Sequence, residues 1–450
     1  MVKMCGILVS TSDISQPINK LLVNRGPDGI GLKNLEGINF LHTLLSMTGE
    51  FTQQPIVKDN VVFLLNGEIY NYKDKKYYPS DIYYIVDLYS KYGKDFVKYI
   101  DGEYSIVIAD LNKNKLFFCT DIFGTKPLFF SNEESGFGIS SYSEPLIELG
   151  FKNINKVEPS TLKVYDLKTF KLKSSNKYFE FELTQNKNNY DSWIDGFLSA
   201  VEKRFKDTDK KIILPLSSGF DSGAIASAFN YLGINATYYS FFNYEHEKVL
   251  KKRIKQIIKS EKIYVKQNLD EKERNFAKEL INDKCSVFSY GANLENQEHV
   301  FQGIDDPGAH GLAYLLNEAK SDNQHIKILA SGQGADEIMS NIQSYSFGKP
   351  NPEFFPDNLQ EIFPWENFYF GTQSSYLAKE ESISGGFGIE GRYPFLDKYL
   401  VQEYLNLNND LKNKEFKAPI VHMLKKFKYP YRKGRTILGK KIPVKSGFSP

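Results

Sequence analysis

The chain has 450 residues, 41% of them hydrophobic and 25% charged, an ordinary globular composition and long enough for two cores. Its 57 basic and 55 acidic side chains leave a formal charge of +2, so no charge asymmetry points to nucleic acid or an anionic membrane as a partner. The longest apolar runs, such as Val61–Leu65, are too short to span a bilayer; no signal peptide is evident; and Cys5, Cys119 and Cys285 suit neither a disulfide framework nor zinc, so a reducing, cytoplasmic setting is expected.

The first half reads as β-rich. Short apolar runs bounded by Gly, Asp and Asn predict strands at Phe63–Leu65, Tyr104–Ile108, Leu116–Phe118 and Pro127–Phe130. The polar, Lys/Asn-rich stretch Ser174–Asn189 predicts a linker. Beyond it the texture changes. An amphipathic helix over Trp193–Phe205 precedes a buried strand, Lys211–Leu216, then a Ser/Gly turn, a small-residue helix, Gly223–Leu232, and a second strand, Ala236–Phe242. The order strand–loop–helix–strand implies a parallel sheet with helices on both faces. The basic run Lys248–Lys262 reads as a solvated helix face. A third strand, Ile326–Ala330, runs into Ser331-Gly332-Gln333-Gly334-Ala335-Asp336-Glu337.

Two loops carry candidate chemistry. In Ser217-Ser218-Gly219-Phe220-Asp221-Ser222 a buried strand ends in small residues and starts a helix, which aims backbone N–H groups and the positive helix end at one point. The serines add hydroxyl donors, and Asp221 offers a carboxylate to the magnesium that accompanies ATP. Asp336 follows its own strand and Gly-rich turn, so the two carboxylates can share a metal at the C-terminal edge of a parallel sheet, although each residue also suits a plain helix cap. Cys5 by itself is either a nucleophile or a small buried hydrophobe.

The segments Met4-Cys5-Gly6-Ile7, Arg25-Gly26-Pro27-Asp28, Asn66-Gly67-Glu68-Ile69-Tyr70-Asn71, Ser80-Asp81, Asp101-Gly102-Glu103-Tyr104, Asp121–Pro127, the two loops above and Glu390–Asp397 occur in one collinear order. In this the chain resembles the glutamine-dependent asparagine synthetase family. The resemblance implies an Ntn-type αββα sandwich over 1–180, acting as a type-2 glutamine amidotransferase domain, followed over 190–450 by a parallel-sheet ATP-pyrophosphatase domain. It further implies that Cys5, made N-terminal by processing, is the nucleophile with its own α-amine as base. Asn66 and Gly67 would form the oxyanion hole, and Glu68 and Asp81 would hold the glutamine ammonium group. Leu216, Ser217, Ser218, Gly219, Asp221, Ser222, Ser331 and Gly332 would surround ATP, Asp221 and Asp336 would hold Mg2+, Gln333 would lie beside the acceptor, and Lys445 would meet the triphosphate. Glutamine, ATP and a carboxylate acceptor are the implied partners, and family analogy suggests a homodimer.

Several residues depart from that pattern. Met1–Met4 precede Cys5, so a free Cys5 amine requires a start at Met4 or removal of a leader. Leu44 stands where the family's Arg would bind the glutamine α-carboxylate, and Ser218 replaces a Gly, which is tolerated at negative φ. Gln333 replaces the Glu of asparagine synthetases and the Tyr of β-lactam synthetases, and Ile338–Asn341 replaces the family's Phe-Gly-Gly-Tyr-like continuation. The acids of Asp305-Asp306 would suit a cationic acceptor if that loop lines the pocket. The default expectation is asparagine synthesis from aspartate, ATP and glutamine. The rivals are amidation of another carboxylate, amide formation as in β-lactam and lasso-peptide synthetases, and a silent nucleotide-binding scaffold.

Overall fold

A computed structural model describes residues 5–14, 18–47, 49–73, 77–242, 245–294, 297–340, 355–432, 435–437 and 440–442. The chain divides into two compact units. The first takes the chain up to Glu180 together with Asp283–Ser286 and Glu381–Glu390; the second takes Phe181–Asn282, Val287–Glu380 and the chain from Gly391 onward.

The first unit runs β1 (Gly6–Ser10), α1 (Lys20–Arg25), β2 (Gly29–Leu35), β3 (Ile38–Leu44), β4 (Ile56–Lys58), β5 (Val61–Ile69), α2 (Asp81–Tyr92), β6 (Gly102–Asp110), β7 (Lys115–Thr120), β8 (Phe129–Glu133), β9 (Gly136–Ser140), α3 (Glu144–Glu148), β10 (Asn155–Lys156), β11 (Thr161–Asp166) and β12 (Leu172–Lys177). They form two six-stranded sheets, ordered β10-β8-β9-β1-β3-β2 and β12-β11-β7-β6-β5-β4. The strand period of two decides what each face buries. Ile7 and Val9 of one sheet join Val62, Leu64, Val107 and Ala109 of the other in a shared core. The alternate residues point outward: Phe63 and Leu65 pack with Ile82 and Ile85 of α2, and Leu8 and Leu41 with Leu22 of α1 and Leu146 of α3. Helix, sheet, sheet and helix therefore stack in the expected αββα order. Phe63 is 1% exposed, and its truncation to Ala would cost about 3–5 kcal/mol.

The second unit, less the C-terminal ends of α7 and α11 and the first residue of β19, which belong to the first, runs α4 (Asp191–Phe205), β13 (Lys211–Pro215), α5 (Phe220–Leu232), β14 (Ala236–Phe241), α6 (Glu247–Gln256), β15 (Ser260–Lys266), α7 (Glu271–Lys284), β16 (Ser289–Leu294), β17 (Gln297–Gln302), α8 (Pro307–Asp322), β18 (Ile326–Ala330), α9 (Ala335–Met339), α10 (Glu366–Tyr369), α11 (Gly371–Gly386), β19 (Glu390–Arg392), α12 (Lys398–Asn406), α13 (Asn409–Asn413) and α14 (Ala418–Lys426). Its five-stranded sheet has the order β15-β14-β13-β18-β19, and β13 pairs in parallel with both β14 and β18. Ile212-Ile213-Leu214 is buried throughout, as a parallel strand covered on both faces requires. Parallel order brings the C-terminal ends of β13 and β18 to the same sheet edge, which is where the two candidate loops begin.

Two sequence expectations need correction. Part of the expected linker, Ser174–Lys177, belongs to β12, an edge strand paired with β11, because edge strands tolerate polar side chains on a solvated face. The basic run Lys248–Lys262 is not one solvated face: it divides between α6 and β15, and Arg253 within it is fully buried.

Candidate functional site

In the first unit the strand β5 carries Asn66, Gly67 and Glu68 in register with Ser105, Tyr104 and Glu103 of β6. Asn66 Nδ2 donates to Ser105 Oγ at 3.2 Å. Gly67 has φ +119, and an added Cβ would lie 2.0 Å from the Glu103 carbonyl oxygen, so no other residue fits there. Asp81 opens α2, and its carboxylate accepts from the Ile69 amide at 3.1 Å. Burial pushes the Asp81 carboxyl up to about 7; the Ile69 hydrogen bond opposes this and the charge of Glu390 adds to it. The adjacent Ser80 Oγ is buried without a hydrogen-bond partner among the described residues, which leaves a donor beside that carboxylate.

Cys5 is half-buried just before β1. Its Sγ accepts from the Leu45 amide at 3.3 Å, and Arg25 Nε donates to its carbonyl at 2.7 Å. Burial pushes the thiol far above its usual range; the Leu45 backbone opposes, and the charges of Glu390, Asp81 and Glu68 add to the rise. Cys5, Glu68 and Asp81 therefore share one electrostatic neighbourhood. Arg25 also pairs with Glu381 at 2.7 Å, and Lys126 reaches the other oxygen of Glu381 at 2.8 Å, all three side chains being buried. Two of the collinear segments thus meet at one carboxylate. Asp121 shapes the backbone nearby. Its carboxylate accepts from the amides of Phe123, Thr125 and Tyr104 and closes the turn that presents Lys126. Leu44 is a buried β3 residue whose carbonyl accepts from Asp28 N at 2.9 Å.

In the second unit the Ser217–Ser222 loop links β13 to α5. Ser217 Oγ and Ser222 Oγ are 2.8 Å apart, and Gly219 N donates to Ser217 Oγ at 3.1 Å. Ser218 is absent from the residues with positive φ, so the Ser in place of Gly carries no strain. Its amide and hydroxyl both donate to the Glu245 carboxylate. Leu216 is a buried residue whose amide donates to Tyr239 O at 2.7 Å. In the second loop Ser331 N donates to Arg392 O at 3.1 Å, and Gly332 lies against Asp221, where an added Cβ would be 2.8 Å from that residue's Cβ.

Asp221 and Asp336 converge, as their strand positions require. Between them stands Lys417, whose Nζ is 2.6 Å from Asp221 Oδ1 and 2.8 Å from Asp336 Oδ1. Burial by itself lowers the Lys417 ammonium; the two carboxylates outweigh it and hold the group above its usual value. Burial pushes Asp221 up to about 6, with Lys417 opposing and Asp336 adding. Lys417 thus holds the position between the two carboxylates that a cation bound by both would share. Among the described residues no group of three or more His, Cys, Asp or Glu side chains could hold a metal, so the remaining ligands would be water and phosphate oxygens. Glu337 is also buried and pushed up by burial to about 7; one of its oxygens accepts from Thr372 Oγ1 at 3.2 Å, and the other has no partner among the described residues.

Gln333 Nε2 donates to Glu380 Oε1 at 3.2 Å, so the amide at this position faces a carboxylate from α11. Asp306 is engaged elsewhere: it caps α8 through Gly308 N at 2.7 Å and pairs with Lys379 at 3.0 Å, which offsets its share of the charge that argued for a cationic acceptor. His310 Nε2 is satisfied by the Ile304 carbonyl. Ile338 and Met339 are buried core residues. Met1–Met4, Asn341 and Lys445 lie outside the described residues. Sequence reasoning missed Lys417, Glu380, Glu245 and Arg253, since none sits in a recognisable motif.

Residues 4–182 match the glutamine amidotransferase domain family. Over more of its length the chain is similar to curated relatives. These are the putative asparagine synthetase [glutamine-hydrolyzing] 1 of Methanocaldococcus jannaschii, 24% identical over 92% of this chain and 82% of the relative, and the asparagine synthetase [glutamine-hydrolyzing] 1 of Arabidopsis thaliana, 26% identical over 91% and 71%. The human asparagine synthetase [glutamine-hydrolyzing] is 24% identical over 87% of this chain and 74% of its own. A solved structure, the glutamine phosphoribosylpyrophosphate amidotransferase from B. subtilis complexed with ADP and GMP, is similar over 47% of this chain and 54% of its own, at 12% identity and a TM-score of 0.29. The first unit is a glutamine amidotransferase domain. The chain as a whole is a distant homologue of the glutamine-hydrolysing asparagine synthetases, followed across about nine-tenths of its length.

Proposed function

We propose that the protein is an ATP-dependent, glutamine-hydrolysing ligase that activates a carboxylate as an acyl-adenylate and amidates it, with aspartate as the default acceptor. The observation that carries this reading is the convergence of Asp221 and Asp336 on one cation beside a small-residue loop at the end of a parallel strand. Names of the distant relatives point the same way.

At the first site the Cys5 thiolate attacks the glutamine side-chain amide. The developing oxyanion is met by the Asn66 amide group and the Gly67 N–H, ammonia leaves, and water hydrolyses the thioester to glutamate. The raised thiol makes a base necessary, and a free α-amine on Cys5 supplies it. Glu68 and Asp81 hold the substrate ammonium. At the second site the acceptor carboxylate attacks the α-phosphorus of ATP and pyrophosphate leaves. Ammonia then attacks the acyl carbon, AMP leaves, and the nitrogen loses a proton. Mg2+ held by Asp221 and Asp336 would neutralise phosphate charge, and Lys417 adds a fixed positive charge beside it. The Ser217, Ser218 and Ser222 hydroxyls and loop amides bind phosphate oxygens, Leu216, Ser331 and Gly332 line the nucleotide, and the family resemblance assigns the triphosphate to Lys445, which lies outside the described residues.

ATP–pyrophosphate exchange against a panel of acids tests this. Exchange with aspartate supports the default reaction. Exchange with another acid supports the second reading, which the Gln333–Glu380 pair favours because an amide facing a carboxylate differs chemically from a Glu at that position. Nucleotide binding without exchange under any acid overturns both.

A further inference from the structure

A loop that grips phosphate must keep its amides turned to one side, and in this protein a buried cation holds it from the other. Arg253 of α6 is 0% exposed. Its Nη1 donates to Ser217 O at 2.5 Å and to Gly219 O at 2.7 Å, and its Nε donates to Pro430 O at 2.9 Å. Across a planar trans peptide the carbonyl of one residue and the N–H of the next point in opposite directions. Holding the Ser217 and Gly219 carbonyls therefore turns the Ser218 and Phe220 amides away from Arg253. The Ser218 amide is already donating to an anion, the Glu245 carboxylate.

The guanidinium lies flat against the start of α5. A Cβ added to Gly223 would be 2.3 Å from Nη2 and 2.5 Å from Cζ, so only Gly leaves room for it. The Tyr429 ring, just past the end of α14, lies 5.7 Å from Cζ. Arg253 Nη2 is buried with no hydrogen-bond partner among the described residues. A buried guanidinium with an unpaired N–H is a poor core filler, and an apolar side chain of the same volume would serve packing better. What the guanidinium provides is a contact from one nitrogen, Nη1, to two carbonyls two residues apart in a single loop, while Nε is anchored on Pro430 O.

We propose that Arg253 is the positioning residue of the nucleotide loop, clamping the Ser217 and Gly219 carbonyls so that the loop amides stay turned toward a triphosphate. The identity of the ligand rests on the proposed function; the clamp itself does not.

The test uses the full chain with Arg253→Met, Arg253→Lys and Gly223→Ala, reading amide hydrogen exchange over the loop and the Kd for Mg-ATP. Arg253→Met is expected to speed loop exchange and weaken Mg-ATP binding by about tenfold or more each, while exchange in β13 and β14 stays unchanged. Arg253→Lys restores part of both. Gly223→Ala, by displacing the guanidinium, reproduces the loss in the parent and adds little in an Arg253→Met background. Unchanged loop exchange in a folded variant overturns the clamp, as do fully additive effects of the two substitutions. Should Arg253→Met fail to fold, Arg253→Lys and Gly223→Ala decide the matter. A parent that does not bind Mg-ATP sinks the proposed function, while the exchange measurement still settles the clamp.

Discussion

The two units hold their candidate chemistry in opposite ways. In the first, Asn66, Gly67 and Glu68 are consecutive residues of an interior strand, so the register of β5 against β6 fixes them together. In the second, Asp221 and Asp336 sit past the ends of two strands, and the group that joins them, Lys417, comes from 196 residues beyond Asp221. A strand-borne site is set by local pairing and is stiff. A loop-borne site is set by distant charges and can rearrange when a ligand replaces one of them.

The sharpest way to break this contrast is to remove one site and ask whether the other still works. Cys5→Ala should abolish glutamine-driven product formation, a loss of about a thousandfold or more, yet leave synthesis from free ammonia near the parent rate. Equal loss from both nitrogen sources would show that the strand site is not a separate glutaminase. Intact mass of the active protein adds a second check: glutamine hydrolysis at a normal rate by a chain that retains residues before Cys5 contradicts the free-amine mechanism.

Next in size is the loop site. Asp221→Asn or Asp336→Asn should lower pyrophosphate exchange by about a hundredfold while glutamine hydrolysis persists. Lys417→Met should do so too, and it should also leave Asp221 and Asp336 repelling one another. Parent-level exchange in any of the three variants removes that residue from the adenylation reading.

A smaller effect sharpens the strand site by pH. The Asp81 carboxyl is pushed up to about 7, chiefly by burial. Its protonated form is favoured as pH falls below that value, so the negative charge proposed to hold the glutamine ammonium should be present at pH 8 and largely lost at pH 6. The KM for glutamine should then rise by up to about tenfold per pH unit below 7, with ammonia-driven synthesis unaffected by this group. In Asp81→Asn the KM should be high at every pH. A parent KM that is flat from pH 6 to 8 contradicts the assignment of Asp81 to the ammonium.

Much of the architecture was legible because it rests on short-range patterns. Alternation in the β-rich half specifies which faces are buried, as Phe63 and Leu64 show by facing α2 and the opposite sheet respectively. The apolar run Ile212–Leu214 and the small-residue turn after it announce a parallel strand and a loop at its end. The convergence of Asp221 and Asp336 follows from parallel order. Lys417 was not legible: it stands in the left-handed region with φ +49 just before the Ala-Pro start of α14, and nothing in its neighbours marks it as a partner of carboxylates. Arg253 was hidden in a run of exposed lysines, and only packing against Gly223 sets it apart. Asp306 shows the reverse case, since a sequence shows a charge but not the lysine, Lys379, that pairs with it.

The smallest expected effect concerns the acceptor. Gln333 has no titratable proton near neutral pH, but as a primary amide it can donate to Glu380 and still accept from a bound group. Gln333→Glu places two carboxylates at a separation of about 3 Å, so one of them should hold a proton near neutral pH and the acid–base character of the pocket should change. If the pocket is a weakened form of an aspartate site, that substitution should raise asparagine formation a few-fold, by about 1 kcal/mol of transition-state stabilisation. If the pocket has been rebuilt for another acid, aspartate rates stay flat and turnover of the true acceptor falls. The Glu380→Gln variant separates the two further, because it removes the repulsion in the Gln333→Glu background and should restore activity only where the new carboxylate acts as a base. A parent that turns over aspartate efficiently, and whose rate is indifferent to both substitutions, would place Gln333 and Glu380 outside the acceptor's reach.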